Sequence, residues 1–314
     1  MTSTDRNTPL RPLLAVVAVV MVGLLAVACG GGGDGGPASP TGDNGPPPVR
    51  VVTTLPVFAD FVRQAGGDRV EVFAVLPDGV NPGLQELPPE DIERISRADL
   101  ILYNGLDVET TAEDLLFEHK RRGSHIISYA RDIVGEISAL EAPDNAYFWL
   151  DPTLAVTYMN TTWDSLAIVD GEAASTYQAN GDRYKEQLRS LHEEIEEKVG
   201  SIPLENRKLV TFHDSFFHLA KRYGLQFVRL ATPVSTQGPS PHRVEEWADL
   251  IREQGVGAVF TEPNFTSELL NQAAQRANVE VCTLYSDALD DHVTTYIEMM
   301  SFNADELVRC LGGE

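Results

Sequence analysis

Cysteines and basic residues are both scarce in this chain of 314 residues. Its three cysteines are too few for a scaffold held by disulfides or for a cysteine-rich zinc module. Only 24 lysines and arginines stand against 47 aspartates and glutamates, which gives a formal charge of -23. This charge argues against electrostatic binding to a nucleic-acid backbone or to an anionic membrane surface, and it attracts cations instead. Hydrophobic residues make up 43% of the chain, enough for a sizeable buried core.

Motifs of several enzyme classes are missing as well. The sequence contains no HExxH motif, no GxSxG nucleophile elbow and no glycine-rich loop of the Walker type. Asp214 directly follows His213, an arrangement that rarely gives the geometry of a catalytic dyad. We therefore expect a protein that is not an enzyme.

The first 29 residues are similar to a bacterial lipoprotein signal. Two arginines precede an apolar run, Leu13 to Ala28, that is too short to span a bilayer as a stable helix. Small residues stand directly before Cys29, which is the expected site of lipidation. The glycine- and proline-rich residues 30–48 cannot bury enough apolar surface to fold and are interpreted as a tether. An ordinary cleaved signal with an incidental cysteine is the alternative.

Strand and helix patterns alternate from residue 49 onward. Short apolar runs rich in β-branched residues predict strands, and amphipathic stretches between them predict helices. The predicted strands cover residues 49–54, 70–76, 100–104, 126–129, 208–212, 226–230, 257–261 and 279–284. This alternation predicts βαβ units and parallel sheets.

A long amphipathic helix is predicted between the two sets of strands, over residues 171–200. Its apolar positions recur every three, four or seven residues and therefore share one face. They are Tyr177, Tyr184, Leu188, Leu191, Ile195 and Val199. The predicted fold is α/β, with two lobes of parallel sheets flanked by helices and joined by this one long linking helix. The N-terminal lobe covers residues 49–170 and the C-terminal lobe residues 201–314.

Polar side chains follow several of the predicted strands. In open α/β sheets, ligands bind outside the carboxyl ends of the strands, so a cleft between the lobes would collect these residues. They are Glu86, His213, Glu262 and Asp287, and Tyr147 joins them from the loop before Trp149. One imidazole with several carboxylates and a phenol suits a hard or borderline cation better than a thiophilic one.

The chain resembles the metal-binding receptors of zinc and manganese ABC importers. The resemblance is carried by the segments VVTTLPVFADFV, VLPDGVNPGLQELPPEDIERISRADLILYNGLDVE, WLDPTLA, RKLVTFHDSFFHLAKRYGL, VFTEPNF and LYSDALDDHVTTYIEMMSFNADELV. It implies an extracytoplasmic, lipid-anchored monomer that captures zinc, manganese or iron and delivers it to the transmembrane subunit of an ABC permease. The transported metal ion would be its ligand, and it would bind no nucleic acid.

The resemblance also implies a set of metal ligands, with two departures from the pattern of the family. Gly83 and Tyr147 stand where the family usually has histidines, whereas His213 and Asp287 match the third and fourth ligand positions. The expected ligands are therefore His213, Asp287, Tyr147 and Glu86. This oxygen-rich set should favour manganese or iron over zinc.

Each candidate ligand also has a structural interpretation. Tyr147 can be a packed aromatic residue, Asp287 a helix cap, and Glu86 and Glu262 ordinary carboxylates. A receptor of the same fold that has lost metal binding, and recognises another small solute or a partner protein, is the alternative function. A secreted metal-dependent enzyme is the third hypothesis.

Cys282 and Cys310 form a candidate disulfide. The first lies in a predicted strand and the second in the predicted terminal helix, and an oxidising compartment permits a bridge. Its geometric condition is a Cα separation below about 7 Å. Two free cysteines packed in the core are the alternative.

The lipoprotein interpretation predicts a lipid on Cys29. A multi-chain lipid would hold the receptor durably at a membrane, and the flexible tether would leave the folded part mobile. Mass spectrometry of protein extracted from membranes should find the modification on Cys29. A soluble mature form that begins at another residue would contradict this prediction.

Overall fold

Two four-stranded parallel sheets form the framework of the protein. The computed structural model describes residues 46–76, 87–136, 145–229, 241–263 and 267–312. The first sheet consists of β1 (Val49–Thr53), β2 (Val70–Ala74), β3 (Leu100–Tyr103) and β4 (His125–Ser128). The second consists of β5 (Lys208–Thr211), β6 (Gln226–Arg229), β7 (Ala258–Thr261) and β8 (Glu280–Thr283). The signal, Cys29, Gly83, Glu86 and all but the last three residues of the tether lie outside the described residues.

Ten helices surround these sheets in the described part of the chain. They are α1 (Pro56–Gly66), α2 (Pro89–Arg97), α3 (Thr110–His119), α4 (Tyr129–Glu136), α5 (Pro152–Val169), α6 (Ala174–Gly200), α7 (Phe217–Tyr223), α8 (Pro241–Gln254), α9 (Glu268–Ala277) and α10 (Tyr296–Leu311). The predicted two-lobe α/β fold is thereby confirmed. None of these helices is long and apolar enough to cross a membrane.

The two sheets have the same strand order. The first is ordered β2-β1-β3-β4 and the second β6-β5-β7-β8, and every neighbouring pair is parallel. In each sheet the chain first adds a strand on one side and then crosses to the other side. The reversal lies between β1 and β3 in the first lobe and between β5 and β7 in the second. A crevice outside the carboxyl ends of the strands forms at such a switch point.

The predicted strand boundaries differ from the structure by one or two residues, and at two places the type of element also differs. Tyr129 was predicted to end a strand, but it begins α4, because the chain turns where the Ala130 N–H donates to the Asn104 carbonyl. A short apolar run cannot by itself distinguish a strand end from a helix start. The predicted linking helix begins with a 3-10 turn over Gly171–Ala173, and α6 proper starts at Ala174.

The linking helix α6 packs through a single face that includes a glycine. All six apolar residues predicted for this face are buried, and Gly181 is buried among them. A glycine inside a helix costs about 1 kcal/mol relative to alanine. A Cβ at Gly181 would lie 2.9 Å from Cδ1 of Trp163 in α5. The glycine therefore allows α5 and α6 to approach closely.

The second sheet is buried on both faces. Successive strand residues point to opposite faces. Leu209 and Phe260 belong to a large apolar core that also contains residues of the first lobe, whereas Val210 and Val259 pack into a smaller core with α8 and α9. The apolar core is thus continuous between the lobes, and α6 is not their only connection.

One buried carboxylate joins three helices at this connection. Asp60 of α1 accepts hydrogen bonds from the N–H of Tyr296 (2.9 Å), the first residue of α10, and from the hydroxyl of Tyr184 in α6 (3.3 Å). Its other oxygen accepts from Gln64 at 3.0 Å. Burial raises the pKa of Asp60 despite these bonds. The start of α10 is therefore fixed against both α1 and α6.

A disulfide joins the other end of α10 to the second sheet. Cys282 of β8 and Cys310 are bonded, with a Cα separation of 6.7 Å that meets the geometric condition. The bridge closes a loop between positions 28 residues apart in sequence, and this loop contains Asp287.

We predict no reactive thiol from Cys282 or Cys310 in the denatured, unreduced mature protein. A cross-link across 28 residues should stabilise the fold by about 3 to 4 kcal/mol, mainly by restricting the unfolded chain. Thiol counting and chemical unfolding with and without reductant measure both effects. The Cys282→Ala/Cys310→Ala variant is the control, because reductant should not change its stability. Two reactive thiols in the unreduced wild type would contradict the prediction.

Candidate functional site

Trp149 connects the two lobes at the carboxyl ends of the strands. It belongs to the segment of residues 145–151, which precedes α5, and its side chain is fully buried. Its indole N–H donates to the carbonyl of Ser286 (2.5 Å), and its own carbonyl accepts from the hydroxyl of Tyr296 (2.6 Å). Because Ser286 directly precedes Asp287, this indole fixes the segment against a candidate site residue.

Both ends of the same segment are also bonded to the second lobe. The side-chain amide of Asn145 donates to the carbonyl of Asp214, and the imidazole of His218 lies 2.9 Å from the carbonyl of Asn145. At the other end, Arg222 of α7 forms an ion pair with Asp151 at 2.6 Å. Burial lowers the pKa of His218, and its ring packs on Phe148, so this histidine has a structural role.

A chain of contacts begins in the segment of residues 145–151. It runs from Tyr147 to His213 and from His213 to Glu262. The hydroxyl of Tyr147 lies 3.0 Å from Nε2 of His213, and Nδ1 of His213 lies 3.3 Å from Glu262. Glu262 also accepts from the hydroxyl of Ser215 at 3.4 Å. A carboxylate that accepts from Nδ1–H leaves Nε2 as the ring atom available to a metal.

This arrangement follows from the topology of the second sheet. His213 follows β5 and Glu262 follows β7, the two strands on either side of the switch point. The side chain of Glu262 is 2% exposed and that of His213 14%. The switch point therefore collects an imidazole and a carboxylate that are 49 residues apart in sequence.

Negative charge dominates the electrostatics of the site. Burial alone would lower the pKa of His213, but Glu262, Asp287 and Asp214 outweigh it and the pKa is raised. The pKa of the Tyr147 phenol lies well above its usual value of 10, through burial first and then through Asp287 and Glu262. A cation would relieve both effects by replacing protons at the imidazole and the phenol.

Three of the four predicted ligands thus share one region. Tyr147 and His213 are in contact, and Asp287, which is 2% exposed, acts electrostatically on both. Glu86 lies outside the described residues. Glu262 was only one of several possible carboxylates in the sequence, and it is the one that contacts His213.

Sequence reasoning missed a further carboxylate, Glu109. It follows β3, the switch-point strand of the first lobe, and it is fully buried. One oxygen accepts from the N–H of Asn104 (2.5 Å) and the hydroxyl of Thr54 (2.9 Å). The only sequence signal for Glu109 was its position as an acidic residue shortly after a predicted strand. The topology shows that this strand, β3, is an inner strand of its sheet.

A second group of potential metal ligands lies elsewhere in the described residues. Ligand atoms of Glu280, Cys282 and Cys310 lie within 4.8 Å of one another. Both sulfurs are bonded to each other in the disulfide, so they offer no thiolate to a metal.

The chain matches known proteins over most of its length. Residues 51–310 match the family model described as ZnuA, the periplasmic component A of the zinc-uptake complex. The zinc-binding protein TroA of Treponema pallidum is 31% identical over 277 residues, which covers 83% of this chain and 88% of TroA. The solved structure of TroA matches with a TM-score of 0.76 at 28% identity and covers 85% of this chain and 100% of that chain.

Two further relatives are named for other metals. The iron-binding protein YfeA of Yersinia pestis is 28% identical over 271 residues, with 84% of this chain and 86% of YfeA covered. The manganese-binding lipoprotein MntA of Halalkalibacterium halodurans is 26% identical over 266 residues, with 83% of this chain and 87% of MntA covered.

We predict that His213 titrates above pH 6.5 in the cation-free protein and that Glu262→Gln lowers its pKa, because burial then acts with less compensation. A raised pKa adds stability that is complete below the unfolded value and is lost as pH rises through the folded value. Imidazole NMR titration measures the pKa values, with His218 as the internal control below 6.5. A His213 pKa below 6.5, or no response to Glu262→Gln, would contradict the prediction.

Proposed function

Because the chain belongs to the ZnuA family of periplasmic zinc-uptake components, we propose that it is an extracytoplasmic receptor that captures a transition-metal ion between its lobes. It delivers the ion to the transmembrane subunit of an ABC permease. The observation that carries this function is the contact of Tyr147 with His213 between the lobes, with Glu262 and Asp287 beside them. The family consists of receptors rather than enzymes, and the site needs no nucleophile.

The proposed ligands are His213 and Asp287 from the second lobe and Tyr147 from the first, with Glu86 as a further first-lobe carboxylate. Glu262 holds Nδ1 of His213 and so presents Nε2 to the ion. The hydrogen bond between Tyr147 and Nε2 supports this assignment, because it places two candidate ligand atoms 3.0 Å apart. A two-ligand site from His213 and Asp287 alone would not hold a metal in tetrahedral coordination.

Capture of the ion exchanges it for protons. The imidazole must be neutral to bind a metal through Nε2, although its neighbours favour the protonated form. A phenolate ligand would require the loss of a second proton, from Tyr147, whose pKa is raised well above 10. The charges of Glu262 and Asp287 offset part of this cost, because they also attract the ion.

The oxygen-rich ligand set favours manganese or iron over zinc. Two imidazoles of the family pattern are replaced here by a glycine and a phenol, which removes the nitrogen donors that suit zinc. Ferric ion promotes ionisation of a phenol better than a divalent ion does, because of its higher charge. Zinc, iron and manganese all occur in the names of the relatives.

A lipid on Cys29 and the tether of residues 30–48 complete the proposal. They would keep a monomeric receptor at the membrane that contains its permease, while the folded part remains free to exchange ions. MntA, which is similar over most of this chain, is named as a lipoprotein.

A receptor of the same fold without metal binding is the second candidate. The replacement of two usual ligands by Gly83 and Tyr147 favours it. Such a receptor would recognise another small solute or a partner protein.

Thermal melts with manganese, ferrous, ferric and zinc ions separate the two candidates. A ligand at ~100 times its dissociation constant stabilises the folded state by roughly 2.7 kcal/mol. We predict that at least one ion raises the melting temperature and that His213→Ala and Asp287→Ala each abolish the shift.

The controls are His242→Ala and Asp114→Ala, which remove the same residue types at exposed positions on α8 and α3. Both should keep the full shift. No shift of the wild type with any ion would reject metal capture and leave the second candidate. A normal shift in both site variants would reject the ligand assignment.

A further inference from the structure

Glu109 is the buried carboxylate that the proposed ligand set leaves unused. It is the residue directly before α3, at the carboxyl end of the first sheet. It is fully buried, whereas the next acidic residue along the chain, Glu113, is only partly buried. Buried carboxylates are rare unless they are paired or fully hydrogen bonded. Its burial therefore calls for a function.

Only one of its two oxygens is satisfied. Oε1 accepts the bonds from Asn104 and Thr54, and the backbone N–H of Gly105 also lowers the pKa of the carboxyl, whereas Oε2 has no geometric hydrogen-bond partner in the part of the chain that the structure describes. Leaving a buried acceptor unsatisfied costs about 1–3 kcal/mol. Such a cost indicates that the carboxylate of Glu109 interacts with a bound ligand.

Capping of α3 does not account for this side chain. Glu109 occupies the N-cap position, but its carboxylate makes no capping hydrogen bond and turns back toward β1 and β3. The preceding residues Gly105, Leu106 and Asp107 all have positive φ, at 86°, 56° and 63°. Two non-glycine residues in this conformation cost free energy. The chain thus adopts an unfavourable turn that ends two residues before the residue that it buries.

Short contacts connect Glu109 to the candidate site. Asn104, whose N–H binds Glu109, donates from its side chain to the carbonyl of Ala146 at 3.1 Å, and Ala146 directly precedes Tyr147. The charge of Glu109 also contributes to the raised pKa of the Tyr147 phenol. The carboxylate is therefore coupled to the first-lobe ligand both structurally and electrostatically.

Glu109 and Glu262 follow corresponding strands of the two lobes, Glu262 as the first residue after β7 and Glu109 six residues after the end of β3. Each follows the third strand of its lobe, β3 or β7, next to the switch point of a sheet with the same strand order. Both are buried, and both act on Tyr147. Glu262 contacts a candidate ligand, His213, directly, whereas Glu109 reaches Tyr147 through Asn104.

We propose that Glu109 stabilises the bound cation from the first lobe, as Glu262 does from the second, and that it favours a cation at this site over neutral or anionic solutes. This inference rests on the proposed metal capture. The pKa of Glu109 is raised to about 7 by burial, so the carboxyl is partly neutral when the site is empty. A nearby cation would favour its ionised form.

Calorimetric titration with Mn²⁺ tests the role of Glu109. Glu109→Gln keeps an oxygen that can accept from Asn104 and Thr54 and replaces the unpartnered Oε2 by a neutral group. It should weaken Mn²⁺ binding roughly 10- to 100-fold, as expected when one nearby charge is lost. The melting temperature of the cation-free variant should be unchanged or higher, because a buried acid is removed.

Glu118→Gln is the matched control, since it makes the same charge change at an exposed position of α3, the helix that Glu109 precedes. It should bind Mn²⁺ as the wild type does. Wild-type affinity of Glu109→Gln for Mn²⁺ would overturn the inference. If the cation-free melting temperature of that variant were also lower, the role of Glu109 would be purely structural. If the wild type binds Mn²⁺ and His213→Ala does not, these results leave the proposed function intact. If the wild type binds no metal ion at all, both proposals fail.

Discussion

The two hydrogen bonds of Trp149 hold the candidate site together. Its indole binds the residue before Asp287, and its carbonyl binds the tyrosine that begins α10. The same segment carries Tyr147, so the position of the phenol against His213 depends on this tryptophan. Tyr147 and His213, the candidate ligands of the two lobes, are therefore prearranged, which would lower the ordering cost of binding an ion. The continuous apolar core and the Asp60 contacts give this arrangement a rigid base.

Charge balance explains why these particular side chains meet. An imidazole and a phenol lie among buried carboxylates, whose charge raises the pKa of both groups and so favours their protonated forms. The hydrogen bond of Glu262 to His213 gives the ring a fixed orientation. Metal binding at Nε2 would replace the hydrogen bond with Tyr147, whereas the contact of Glu262 with Nδ1 would remain.

The alternation of strands and helices was predictable from the sequence because short apolar runs and an amphipathic stripe have clear periods. The start of α4 at Tyr129 was not, since its apolar run fits a strand equally well. Tyr147 and His213 were found by their positions in recognisable motifs. Glu109 could not be found in this way, because nothing local distinguishes it from Glu113 one turn later. Glu109 is buried and Glu113 is not, and only the sheet topology, which places β3 beside β1, shows this difference.

The Cys282–Cys310 bridge has a consequence for how the protein is made. It encloses the loop that carries Asp287 and the start of α10, the helix that contacts both lobes. A reducing cytoplasm keeps cysteines as thiols, so a newly synthesised chain lacks this cross-link until it has been exported. The second lobe reaches its full stability only outside the cytoplasm. Maturation of the receptor is thus tied to its export.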